Sequence, residues 1–194
     1  MTIAYEFETG LYINLTNKCP CACTFCLRLE TDGVQPGQSL WLEREPEPDE
    51  VRAAIDTKDL SKYDEVVFCG FGEPCERLDV LLAAAEYIRD KCGLPIRLNT
   101  NGLSDLINQK PTAGLLAQHI DRISISLNAP DSETYNKLCN PVYDDAWEAV
   151  IRFALDCKEV FPSVTMSVVN VLETEELERC RQLCEGLGLP LRVR

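Results

Sequence analysis

The chain has 194 residues, 45% of them hydrophobic, and a formal net charge of −13. That length supports one domain with a substantial core, and the acidity argues against non-specific binding to nucleic acid or to anionic membrane surfaces, both of which rest on Lys and Arg. No run is apolar enough to cross a bilayer, and residues 1–6 lack the basic start and apolar stretch of a signal peptide, so a cytoplasmic protein is expected. The eleven cysteines are odd in number and accompany no export signal, which favours reduced thiols over a disulfide framework.

Strand and helix signals alternate along the chain. Residues 11–15 read as a strand, followed by a cysteine-rich loop and a Gly- and Pro-rich irregular excursion over 31–48. A helix over 49–55 is entered through Pro48, and 65–69 is a short apolar strand. A helix over 78–91 is closed by Gly93 and Pro95, and 96–99 is the next strand. A short helix near 113–118 leads to a strand at 122–127, and a strongly amphipathic helix runs from about 144 to 160. A strand at 164–169 precedes a helix capped by Thr174 and ended by Gly186 and Gly188, and 190–194 reads as a last strand. Six strands alternating with helices imply parallel pairing through right-handed crossovers, an α/β partial (β/α)6 barrel of TIM type formed by one domain over 1–194.

In that architecture, sites lie at the C-terminal ends of the strands. The polar and glycine-rich words fall there. Cys19, Cys23 and Cys26 form C-x-x-x-C-x-x-C after the first strand. Gly70-Phe71-Gly72-Glu73-Pro74 follows the second, Asn99-Thr100-Asn101-Gly102 the third and Ser126-Leu127-Asn128 the fourth. Three thiolates on one short loop can hold three corners of a four-iron cluster, leaving one iron free to bind a substrate or cofactor. A zinc knuckle is the alternative, with Cys21 as fourth ligand, but four cysteines so close together would crowd a tetrahedral ion. Asn99 and Asn101 share a strand face and offer both donors and acceptors. Ser126 and Asn128 follow the same logic, and Ser124 and Ser126 pointing inward suggest a wet, functional interior.

The cysteine triad, with Phe25 just before its last member, resembles the signature of the radical S-adenosylmethionine (SAM) superfamily. Gly72-Glu73-Pro74 looks like its second-strand G-G-E-P word, with Phe71 displacing one glycine. More narrowly, 12–17, 63–70 and 124–130 are similar to the TatD-associated radical SAM proteins, named for genes beside a TatD-type metallohydrolase. The resemblance implies a [4Fe-4S] cluster on Cys19, Cys23 and Cys26, with SAM chelating the open iron and cleaved reductively to a 5′-deoxyadenosyl radical that abstracts hydrogen from a substrate. It implies SAM contacts from Phe25, Gly70, Gly72, Glu73, Pro74, Asn99, Asn101, Ser126 and Asn128, with Glu73 and nearby carbonyls accepting from the SAM ammonium. It also implies a flavodoxin or ferredoxin as reductant and a functional link to a TatD-type metallohydrolase. The substrate stays open; a barrel with one side uncovered suits a large one. The reading from another class is a zinc- or cluster-stabilised module that partners the TatD-type protein without chemistry.

The remaining candidates carry less. Arg192 and Arg194 could meet a carboxylate at the barrel opening, and Arg28 follows the cysteine loop. Cys69, Cys75 and Cys139 near strand ends lack the compact spacing of a second cluster. Cys180 and Cys184 lie on an apolar helical stripe and read as core, as do Trp147, Phe153 and Phe161, while His119 reads as helix-end packing.

Overall fold

The computed structural model describes residues 1–35 and 37–194. Pro36, inside the 31–48 excursion, lies outside the described residues. Seven strands form one sheet in chain order: β1 (Ala4–Phe7), β2 (Gly10–Ile13), β3 (Glu65–Phe68), β4 (Ile96–Thr100), β5 (Arg122–Ser126), β6 (Ser163–Val168) and β7 (Leu191–Val193). β2 through β7 pair in parallel. Those six are the expected barrel strands, though β2 stops at Ile13 and releases Asn14 and Leu15 into the site loop.

β1 was not expected. It pairs antiparallel with β2 through a tight turn in which Glu8 takes a left-handed φ of 51°. An edge strand interrupted by Glu6 and followed by Glu8 and Thr9 lacks the apolar run that marks the inner strands.

Seven α-helices connect the strands: α1 (Pro48–Asp56), α2 (Leu78–Lys91), α3 (Ser104–Asn108), α4 (Ala113–Leu116), α5 (Ser132–Cys139), α6 (Ala146–Val160) and α7 (Thr174–Leu187). Pro48 opens α1 where a missing N–H costs nothing, and Glu47 and Glu50 form a capping box there. α7 begins in the same way, so Glu173 is its cap and Thr174 is already inside. A carboxylate at that position accepts the free N–H groups and opposes the helix dipole. Gly186 lies within α7, and Gly188 ends it with a φ of 65°. α5, also unexpected, is announced by Asp131, whose side chain accepts from the Thr134 N–H at 2.8 Å.

Alternation gives the sheet two unlike faces. Leu11, Ile13, Val66, Phe68, Ile96, Leu98, Ile123, Ile125, Val164 and Met166 join the main core, together with Leu81, Ile88, Val150 and Phe153 of the helices. Cys157, Cys180, Cys184 and Phe161 are buried in that core and Trp147 packs against it, as the sequence suggested. The opposite face carries Tyr12, Arg97, Asn99, Ser124, Ser126 and Arg192, and among the described residues no α-helix lines the cavities on it. At the β1–β3 end it holds a small cluster of its own: Tyr5, Tyr12, Leu40, Val67 and Phe71.

Candidate functional site

The cysteine loop leaves β2 and is fixed from three directions. Its backbone docks on the end of α5, where Ala22 N–H donates to Cys139 O at 3.0 Å and Thr24 N–H to Leu138 O at 2.8 Å. On its other side Gly72 N–H donates to Thr16 O at 3.0 Å and Glu73 N–H to Lys18 O at 2.8 Å. Arg28 reaches back to Cys21 O at 3.3 Å, closing the loop on itself rather than lining the cavity.

The glycines of Gly70-Phe71-Gly72 serve this docking. A Cβ at Gly72 would overlap the Thr16 and Lys18 carbonyls, and one at Gly70 would overlap the Asn14 amide. The close approach expected of a ligand is therefore made first by the protein's own loop. Pro74 is buried at the start of a 3-10 turn, Pro74–Arg77, which it stiffens, and it is not among the residues that line the cavity.

Glu73 is buried and ties three segments together. Its carboxylate accepts from Cys75 N–H at 3.1 Å, Thr100 Oγ1 at 2.8 Å and Asn101 N–H at 2.7 Å. Burial pushes its carboxyl up, and these donors pull it back. The acid read as an acceptor for a ligand is thus already the clamp between the second and third site words. It still borders the cavity, and Oε2, with a single donor, keeps a lone pair.

Other side chains strap residues 40–45 to the loop that leaves β2. Asn14 Nδ2 donates to Leu40 O at 2.7 Å, Asn17 exchanges bonds with Leu42 at 2.7 and 3.0 Å, and Thr16 Oγ1 donates to Glu45 at 2.9 Å. Sequence reasoning gave Asn14, Asn17 and Glu45 no role. Nothing local marks a strap whose partner lies about 25 residues away.

One cavity of about 390 Å³ gathers the predicted residues: Cys19, Cys23, Phe25 and Cys26; Gly70, Gly72 and Glu73; Asn99 and Asn101; Ser126 and Asn128. Cys21, Leu27, Cys69, Thr100, Val169 and Arg194 complete its wall. Asn128 adopts a left-handed φ of 59° and donates through Nδ2 to Cys139 Sγ at 3.6 Å. Its Oδ1 is buried without a hydrogen-bond partner, on a residue that borders the cavity. Asn101 Nδ2 lies 3.9 Å from Cys19 Sγ, linking the third word to the cysteines.

The thiols differ in their surroundings. Hydrogen bonds from Cys139 first, then from Cys21, lower Cys23, and one from Cys21 lowers Cys19. Burial raises Cys26. Cys21 is buried beside Tyr135 Oη at 3.9 Å, and its bonds to Cys19 and Cys23, with burial, raise its thiol. An iron ligand is a thiolate, which the lowering at Cys19 and Cys23 favours and the raising at Cys26 opposes. Among the described residues no His, Cys, Asp and Glu side chains converge on a geometry suited to a single metal ion. Cys69, Cys75 and Cys139 do not come together either: Cys75 pairs with Thr100, and Cys139 faces Asn128.

The sequence model of the Radical SAM superfamily matches residues 13–184. GTP 3′,8-cyclase of Paenarthrobacter nicotinovorans is 30% identical over 73% of this chain and 40% of its own length. The probable GTP 3′,8-cyclase of Methanocaldococcus jannaschii is 28% identical over 95% of this chain and 57% of its own. Both are enzymes by name, and this chain spans only about half of each or less. Among solved structures, Streptococcus suis SuiB bound to S-adenosylmethionine aligns with a TM-score of 0.69 and 20% identity, over 96% of this chain and 40% of that one. That likeness shows a shared fold, with the partial barrel expected from the strand order. With the family match covering both the cysteine loop and the strand-end words, this chain belongs to the radical SAM superfamily.

Proposed function

We propose that the chain holds a [4Fe-4S] cluster on Cys19, Cys23 and Cys26 and binds SAM in the 390 Å³ cavity beside them, as a radical SAM enzyme. The observation that supports this most is convergence: words from four separate strand ends line one cavity, and one of its lining residues, Asn128, keeps a buried Oδ1 without a partner. The donor set fits the cluster, since three thiols share one short, tightly docked loop. The chemistry such a cluster supplies, when bound, is one-electron reduction of the SAM sulfonium, giving methionine and a 5′-deoxyadenosyl radical.

The chain's own residues bind and orient. Asn128 Oδ1 accepts from the nucleoside, and Asn99, Asn101 and Ser126 offer donors and acceptors to its hydroxyls. Glu73 Oε2, with the carbonyls around Gly72, accepts from the ammonium. Phe25 and Leu27 add apolar surface to the cavity beside the thiols. The TatD-associated subgroup, a flavodoxin or ferredoxin as reductant, a link to a TatD-type metallohydrolase and a cytoplasmic location belong to the same reading. No helix of the described residues is long and apolar enough to cross a membrane. The curated relatives act by name on GTP, which makes a nucleotide one substrate to try.

Anaerobic reconstitution tests the proposal. Iron and sulfide near four each per chain, a brown colour, and 5′-deoxyadenosine released on adding dithionite and SAM are expected. Colourless protein with one zinc and no nucleoside product overturns it in favour of a binding module.

A further inference from the structure

The uncovered face of the sheet holds a second cavity of about 350 Å³. It adjoins the first and shares Cys26, Leu27, Cys69, Gly70, Asn99 and Arg194 with it. Its two ends differ in chemistry. Tyr5, Tyr12, Val34, Leu40 and Phe71 form an aromatic and apolar end. Arg192 and Arg194, two apart and so on one face of the β7 edge, form the other.

The charges there are not matched by the protein. Arg97, the third arginine of the cavity, is held by Glu65 at 2.6 Å and donates to Asn99 Oδ1 at 2.7 Å, so its charge is answered. Among the described residues Arg192 has no ion pair, and Arg194 donates to the neutral Ser126 Oγ at 3.2 Å. Glu8, at the β1–β2 turn, is the acid that borders the cavity. In a chain of net charge −13, two arginines without a carboxylate partner line one cavity while still open to solvent, a pairing that an anion would complete.

We infer that the second cavity binds a small anionic substrate, its carboxylate or phosphate gripped by Arg192 and Arg194 and its apolar part laid against Tyr5, Tyr12 and Phe71. The inference rests on the proposed function only in taking the neighbouring cavity as the SAM site. An anion could also come from SAM itself, through its carboxylate. Arg192 separates the sources, because it borders the second cavity alone whereas Arg194 borders both.

Titration calorimetry on the whole reconstituted chain, with phenyl phosphate, benzoate, benzyl alcohol and SAM as probes, decides the matter. Phenyl phosphate and benzoate are expected to bind at least about tenfold more tightly than benzyl alcohol. R192Q and R194Q should each weaken phenyl phosphate about tenfold, and R192K should weaken it less while losing the bidentate grip. Saturating SAM should leave phenyl phosphate binding in place, and R192Q should spare SAM affinity. Equal binding of benzyl alcohol, or arginine variants that weaken it as much as phenyl phosphate, overturns the site. Displacement of phenyl phosphate by SAM, with R192Q weakening both in parallel, assigns the arginines to SAM and also overturns it. Arginine-dependent phenyl phosphate binding by a chain that never takes SAM upholds this site and sinks the proposed function instead.

Discussion

The two faces of the same sheet are built from the same strands to opposite ends. On the helix-covered face, the strand residues are apolar and almost without exposure, and they meet side chains such as Leu81 and Phe153. On the other face the same strands carry Arg97, Asn99, Ser124 and Ser126 around two cavities. One face is close-packed for stability. The other leaves polar groups whose hydrogen bonds the protein only partly completes, Asn128 Oδ1 above all. The lesson is that period-two alternation here divides stability from chemistry residue by residue.

Substitutions should separate the faces in the same way. The largest effect belongs to the cysteines. Cys19→Ala, Cys23→Ala or Cys26→Ala should each abolish SAM cleavage and lower bound iron, while Cys21→Ala retains cleavage; 5′-deoxyadenosine release and iron content check this. Retained cleavage in any of the three would remove that residue as a ligand. Next comes the packed face. Phe153→Ala should cost about 3–5 kcal/mol of stability, read by denaturant unfolding of the cluster-free chain, because it empties a fully buried site. A loss below 1 kcal/mol, far outside that order, would mean that the helices do not cover the sheet as described.

The clamp between the words follows. Glu73→Gln should destabilise by about 1–3 kcal/mol, since an amide cannot accept from all three present donors without turning its own N–H groups toward them. It should also weaken SAM binding while the cluster still assembles. Unchanged stability would show the clamp to be idle, and unchanged SAM affinity would retire its role toward the ammonium. The smallest effect is at the orphan acceptor. Asn128→Ala should weaken SAM binding by about tenfold, alongside a modest drop in melting temperature from the lost Nδ2–Cys139 bond and from alanine at a left-handed φ. A large drop in melting temperature with SAM affinity unchanged would place Asn128 on the structural side of the comparison.

Much of this division was legible in the sequence because it is local. Gly93 and Pro95 close one helix, and the strand-end words sit where parallel strands place sites. Ser124 and Ser126, both polar in a strand whose alternate residues are Ile123 and Ile125, announced an inward polar face. What stayed hidden depends on partners distant in the chain. Gly72 reads as room for a ligand until the Thr16 and Lys18 carbonyls are seen against it. Glu73 reads as a free acid until Thr100 and Asn101 arrive from the next strand. β1 gains its place from pairing with β2 and from burying Tyr5 beside Tyr12, with ring centres 5.3 Å apart, neither of which its own four-residue sequence reveals.

The central claim is that the cysteine loop leaves one iron open to SAM inside the first cavity. Electron paramagnetic resonance of the anaerobically reduced, reconstituted chain tests it most directly. A [4Fe-4S] signal whose g-values shift when SAM is added, and shift less in Asn128→Ala at equal SAM, is the predicted result. A cluster signal that SAM leaves untouched at every concentration would contradict the account.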